Sequence, residues 1–285
     1  MILVTGATGN VGSAVVAELR AMGEPVRAFV RNEERAREGL PAGVEFSTGD
    51  FEDSSSIARA LEAVDAVFLS SADQPNKVQH ETAMIDAAAA GGVGRIVKAS
   101  TIGAEKGSLL PPFDWHGRIE EHLHASGVPS VVLHSSFYMT NLLASAEPIR
   151  QMGKLFAPLA GAGIAMIDPR DTGAVGAAAF GTNRYDGQTL DLTGPEAITF
   201  ERVADELSAA TGRAIEFVNI PDEAAHQTFV DMGLPDWLLT HFDHLFPLLR
   251  SGVVATPTDT VRAVIGRQAR SLAEWARDHA PAFSP

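Results

Sequence analysis

Apolar residues in the first 150 positions come in runs of four or five, each followed by a stretch of helical periodicity. Residues 2–5 read as a strand, and residues 11–22 as a helix with Val11, Val15, Val16 and Leu19 on one face. Residues 26–30 and 44–47 are the next two strands, the second leading into a helix capped near Asp53 or Ser54 and running through Ile57, Ala60 and Leu61. Residues 66–69 read as a buried strand and 81–90 as a helix ended by Gly91 and Gly92. Residues 96–99 and 131–134 are two more strands, flanking a helix at about 115–125. Short apolar strands alternating with helices predict an α/β fold, a doubly wound parallel sheet covered on both faces.

The second half is less regular. Residues 153–166 hold three glycines and a proline and read as a long connection rather than a core element. Residues 168–180 read as a helix, 189–192 as a strand, and 199–211 as an amphipathic helix with Thr199 as N-cap and Gly212 as stop. From Pro221 the pattern is helical and rich in bulky apolar residues, with a last short helix after Ser271. The expected division is a nucleotide-binding core over residues 1–150, to which 168–195 return, and a smaller, mostly helical lobe of 151–167 and 196–285 that caps the substrate.

A glycine turn, Gly6-Ala7-Thr8-Gly9-Asn10-Val11-Gly12, lies between the first strand and the first helix. In that setting Gly6 permits the tight turn, Gly9 lets backbone approach a pyrophosphate, and Gly12 lets the helix pack close to the sheet. The helix N-terminus offers unpaired N–H groups to phosphate. This is the Rossmann arrangement, and it predicts a bound dinucleotide. An acid at the end of the second strand would hold a ribose 2′-hydroxyl; here the strand ends in Arg31. A guanidinium suits a 2′-phosphate, so NADP(H) is expected over NAD(H). The competing reading is a solvated arginine opening a charged helix.

Charge and composition narrow the partners. The formal net charge of −14 argues against a nucleic-acid binder that works by neutralising phosphates. With no cysteine, disulfides, thiolate nucleophiles and Cys-bound metals are excluded. No apolar stretch is long enough for a membrane span, and the N-terminus lacks a leader-like pattern, so a cytoplasmic protein is expected. His241 and His244 stand three apart rather than four, and no metal is expected.

The glycine turn, the strand end at Arg31, Thr48-Gly49-Asp50-Phe51, Phe68-Leu69-Ser70-Ser71 and Leu192-Thr193-Gly194-Pro195 together resemble the NmrA-like branch of the atypical short-chain dehydrogenase/reductases. The resemblance implies that Asp50 and Phe51 flank the adenine and that Ser70 and Ser71 lie under the cofactor. It implies that Ser136, Phe137 and the following residues to Asn141 lie by the nicotinamide, and that Arg170 reaches the cofactor side. The branch holds NADPH-dependent quinone, dye and ketone reductases and also NADP(H)-sensing regulators without activity. The expected function is hydride transfer to a ketone or quinone of a sizeable aromatic substrate, the alternative a sensor. The expected partner is that small molecule, with neither nucleic acid nor membrane, and a homodimer is left open.

Short-chain enzymes carry a serine at the fifth strand's end and a Tyr-x-x-x-Lys pair on the next helix. Ser100 fills the serine position, His116 stands where the lysine would, and Pro112 stands in place of the tyrosine. The proton for the reduced product therefore needs another source. The candidates are His116, with a suitable intrinsic pKa; Ser100 or Thr101 as hydrogen-bond donors; Tyr138; and the substrate itself. His134, where relatives commonly carry arginine, reads as no more than a supporting residue. The apolar residues between Phe229 and Leu248 form the lobe's core, with the remainder walling a pocket for a flat ligand.

Overall fold

The computed structural model describes residues 1–285. The chain opens β1 (Ile2–Val4), α1 (Asn10–Ala21), β2 (Val26–Val30), α2 (Glu33–Gly39), β3 (Glu45–Thr48) and α3 (Ser54–Ala60). It continues through β4 (Ala66–Leu69), α4 (Lys77–Ala90), β5 (Arg95–Thr101), α5 (Pro111–Ala125) and β6 (Ser130–Ser135). A 3-10 segment (Met139–Ser145), α6 (Ala146–Met152) and β7 (Lys154–Ala157) lead away from the sheet, and α7 (Pro169–Phe180) and β8 (Thr189–Leu192) return to it. The rest is α8 (Phe200–Thr211), β9 (Glu216–Asn219), α9 (Asp222–Asp231), α10 (Asp236–Arg250), α11 (Thr260–Ile265) and α12 (Leu272–Phe283). No helix is long and apolar enough to cross a membrane.

Seven strands form one parallel sheet in the order β3-β2-β1-β4-β5-β6-β8. The inner strands β1, β4, β5 and β6 are largely buried on both faces because helices cover both, whereas the edge strands β3 and β8 stay partly exposed. Val4, Phe68, Val97 and Leu133 pack under α1 and α7, while Leu3, Val67, Ile96 and Val132 pack under α3, α4 and α5. Helices α1 and α7 lie unusually close. A Cβ on Gly173 would sit 2.5 Å from the Cβ of Ala14, so only glycine permits that contact.

The lobe differs from the sequence expectation. Residues 153–166 are not a loose connection: β7 pairs in parallel with β9, and Leu155, Ile164, Ala165 and Met166 are wholly buried. Their glycines had hidden them; Gly153 caps α6 at φ +66° and Gly161 turns at +70°, while a four-residue strand is too short to show its period. The core of the lobe gathers Leu155, Ile164, Val203, Leu207, Trp275 and Phe283. Its boundary also shifts. Met139, Leu142 and Ile149 belong to this core although they precede residue 151, whereas Val261 and Ala269 pack with the sheet.

Candidate functional site

The strand order reverses at β1, with β2 on one side and β4 on the other. A crevice opens there above the carboxyl ends of the strands, and ligands of open α/β sheets bind at such points. Gly6 turns at φ +60°, and a Cβ there would lie 2.8 Å from the Ser70 carbonyl oxygen. Gly12 is tighter still, its added Cβ falling 2.2 Å from the Gly6 oxygen. The first turn of α1 carries no acid, and its N-cap Gly9 offers no side chain to the free N–H groups. Thr8, Gly9 and Asn10 are exposed on the rim. The cradle is open, positive and uncapped, which fits a pyrophosphate.

Arg31 is exposed at the end of β2 and makes no ion pair, leaving its guanidinium for an external anion. The Asp50 carboxylate accepts the Glu52 N–H at 2.9 Å. Phe51 sits edge-on to Phe29 and stacks over His80 at 5.4 Å, which holds its ring in place at the crevice's outer end. Arg170 is a correction: it chelates Asp168 and reaches Asp278 at 2.7 Å. Both carboxylates occupy its fork, and it does not line the pocket.

The crevice continues into a cavity of about 270 Å³ under the lobe, lined from the sheet by Val11, Ser70, Ser71, Ser100, Ser136 and Tyr138 and from the lobe by Leu245, Leu249 and Val254. Ser136 is 4% exposed and its hydroxyl has no partner within the protein. A buried orphan of this kind costs free energy unless a ligand satisfies it. The lobe wall is more aliphatic than expected. Phe229, Phe242 and Phe246 stack on one another outside the cavity; the aromatic lining comes from Phe113, Phe137 and Tyr138.

Between the sheet and α4/α5 lies a layer of buried charge. Lys77 and Lys98 flank Glu81, at 2.9 and 3.0 Å, and all three are essentially inaccessible. Burial pushes the Glu81 carboxyl up, but the two ammoniums overrule it and hold the group at about 2. Lys77 also meets Asp73 at 3.3 Å and the Ser71 carbonyl at 2.9 Å. The Ser71 hydroxyl is committed to Glu81.

Lys98 Nζ lies 3.1 Å from His116 Nδ1. An ammonium only donates, so Nδ1 accepts and the proton rests on Nε2, which lies toward Asp73 at 3.7 Å. Burial, with Lys98 and Lys77 adding to it, pushes the His116 imidazolium well below its ordinary value. His116 is therefore a neutral N–H donor in the cavity wall, and the imidazolium acid expected from sequence is corrected. The Ser100 hydroxyl donates to Glu120, so its single proton is already engaged. Burial raises the Tyr138 phenol above its ordinary range, with the nearby Ser135 and Thr172 hydroxyls opposing the rise.

His241, from α10, also lines the cavity, with Nδ1 unpartnered. Burial lowers it from an ordinary 6.5 to about 4. The unfolded chain thus binds protons that the folded chain refuses between those values, and folding stability falls as pH drops through that window. His241→Phe should remove about 3 kcal/mol of this acid sensitivity. Melting temperatures of both proteins at neutral pH and near pH 4.5 check it; parallel losses on acidification would refute it. His244, three residues on, is exposed to solvent.

Sequence reasoning missed Asp73, Lys77, Glu81, Glu120 and His241. One signal was available: Lys98 interrupts an apolar strand, and a buried lysine demands an acid.

Residues 1–276 match the NmrA-like family. The chain is 37% identical over 283 residues to an NAD(P)H azoreductase of Xenophilus azovorans, covering 99% of each. It is 36% identical to a (4-alkanoyl-5-oxo-2,5-dihydrofuran-3-yl)methyl phosphate reductase of Streptomyces griseus, covering all of both chains. Among solved structures it resembles an NADPH-dependent quinone oxidoreductase of Escherichia coli complexed with NADPH, at 28% identity and a TM-score of 0.86, over 98% of this chain and 99% of that one. This protein belongs to the NmrA-like family.

Proposed function

We propose that this protein is an NADPH-dependent reductase of conjugated acceptors, quinones or azo compounds, that works without a tyrosine acid. The observation that carries the reading is the cavity: it joins an uncapped phosphate cradle to an apolar lobe wall and holds an orphaned Ser136 hydroxyl at 4% exposure. The glycine turn and the first turn of α1 would hold the pyrophosphate, Arg31 the 2′-phosphate, and Ser136 and Phe137 the nicotinamide end. The cofactor supplies a hydride when bound. The protein's part is to exclude water, orient the acceptor and stabilise the anion that hydride uptake leaves. His116 Nε2–H suits that last task as a neutral donor, and quinones and azo groups need little more because their anions are delocalised or readily protonated.

Cavity size bears on the acceptor. Nicotinamide and acceptor share about 270 Å³, below the usual range for small-ligand sites. One or two rings fit within it, and a larger aromatic molecule would extend through the open mouth of the cavity. Kinship over the whole chain with three reductases supports turnover over sensing. Steady-state loss of NADPH absorbance with small quinones, azo dyes and polycyclic ketones tests the reading. Rapid turnover of the first two classes is expected, and NADPH binding without oxidation by any acceptor would return the protein to the sensing class.

Two substitutions probe the assigned roles. Arg31→Ala should weaken NADPH binding by about 1–3 kcal/mol and leave NADH nearly unchanged, since only NADPH carries the 2′-phosphate. Equal loss for both cofactors in a binding titration refutes it. His116→Ala should lower kcat roughly ten- to a hundredfold, the worth of one donor; His116→Gln, which retains an N–H, should recover most of that. A Gln variant as slow as the Ala variant would mean that donation is not what His116 does.

A further inference from the structure

We propose that Ser100, Glu120, His134 and Asp191 form a proton path from solvent at the edge of the sheet to the acceptor pocket. The path rests on the reductase reading above and answers what that reading leaves open, the source of the product's proton.

Ser100 on β5, His134 on β6 and Asp191 on β8 are direct neighbours across adjacent strands. Cross-strand partners present their side chains on the same face, so the three form one row ending at β8, the last strand of the sheet. Glu120 reaches down from α5 onto this row. The Ser100 hydroxyl donates to Glu120 Oε1, His134 Nε2 lies 3.1 Å from both Glu120 oxygens, and His134 Nδ1 lies 3.5 Å from Asp191. Exposure rises along the row: Ser100 is 5% and Glu120 9% exposed, against side-chain values of 16% for His134 and 57% for Asp191. Ser100 lines the cavity. One end meets the acceptor and the other meets water.

The other candidates lack one of these ends. His116 is neutral with Nδ1 held by Lys98, burial holds the Tyr138 phenol above its ordinary range, and the Lys77–Glu81–Lys98 layer is closed. Charged or titratable groups facing His134 are Glu120 and His116 from α5 and Asp191 from β8, with Lys98 beyond Ser100 on β5.

The step balances with one proton. Bound NADPH would supply the hydride, two electrons and one hydrogen, to the acceptor, and would itself be the species oxidised. A protonated Glu120 donates to the Ser100 oxygen instead of accepting from it, which turns the Ser100 hydroxyl toward the acceptor; the resulting anion forms its new O–H or N–H bond as the Ser100 O–H bond breaks. The serine oxygen takes a proton from the Glu120 carboxyl, which has received it from His134 Nε2. The His134 imidazolium becomes neutral and is recharged by solvent on the Asp191 side. Ser100 is the catalytic residue; Glu120 and His134 act through it.

The test uses His134→Asn, which keeps a donor toward Glu120 but cannot ferry a proton, and Glu120→Gln, which keeps the shape. Wild type is first assayed with the quinone and azo panel in single turnover. Absence of turnover overturns the reductase reading and the path with it. Given turnover, both variants should slow at least about tenfold with NADPH affinity and melting temperature close to wild type. Added imidazole buffer should accelerate the variants and not the wild type. In mixed H₂O/D₂O the wild-type rate should curve with deuterium fraction, as several protons moving together require, and straighten in the variants. Without cofactor, the His134 imidazole resonance should shift on Glu120→Gln, reporting their contact. Variants as fast as wild type overturn the path alone. So does a slow variant deaf to buffer that has also lost NADPH affinity, since that reports a structural pair.

Discussion

Gly9→Val should abolish NADPH binding and leave the fold intact. Gly9 is the N-cap of α1, at φ −84° and ψ 173°, a region valine occupies freely. A Cβ there meets only the Gly6 oxygen, at 3.3 Å, a close contact that a shift of the turn by a few tenths of an ångström relieves. The rest of the side chain projects into the space where a pyrophosphate must approach the exposed backbone. Gly12→Val behaves differently. Its Cβ would fall 2.2 Å from the Gly6 oxygen and 2.7 Å from the Gly6 carbonyl carbon. Those are backbone atoms that cannot swing aside, so α1 is pushed off the turn and stability and binding fall together. Cofactor titration beside thermal melting separates the two. A Gly9→Val protein that binds NADPH within tenfold of wild type would mean that the pyrophosphate lies elsewhere.

The contrast between these glycines shows what the sequence displays well. A turn whose residues are chosen by backbone geometry keeps its meaning out of context, because each glycine answers a local constraint. The parallel sheet was legible for a related reason: strands such as residues 66–69 and 131–133 are buried on both faces and need apolar residues at every position. Helix caps at Asp53 and Thr199 are equally local. The lobe was harder, since β7 and β9 pair only after the chain has passed through the sheet and α8, and neither strand is long enough to announce itself. The chemistry of the pocket was harder still. His116 looked like an acid because its intrinsic pKa suits one; its protonation is decided by Lys98, eighteen residues earlier, and by burial that no motif records. Arg170 looked free because Asp278 lies 108 positions away. The row from Ser100 to Asp191 exists only in the register of three strands.

Glu81→Gln should be the most destabilising single change at the site, by about 3–5 kcal/mol, the cost of breaking a buried ion pair from one side. Both lysines lose their shared anion, and only Lys77 retains another, Asp73. Lys98 is already lowered by burial and by Lys77, with Glu81 the main opposing influence; without Glu81 it is driven toward the neutral amine. For a chain of this size the melting temperature should fall by roughly 10 °C. The sign of the pH dependence follows. A lysine whose folded pKa is depressed makes the unfolded chain the better proton binder at neutral and mildly alkaline pH, so the variant's deficit should shrink as pH rises. Replacing the cluster together, Lys77→Met with Glu81→Leu and Lys98→Met, should cost less stability than Glu81→Gln alone, because no unpaired charge remains. The triple variant also frees His116 Nδ1, and with it the tautomer that points Nε2–H into the cavity. If Glu81→Gln melts like wild type at neutral pH, the buried layer carries no net charge in the folded protein, and the argument that holds His116 neutral through Lys98 fails with it.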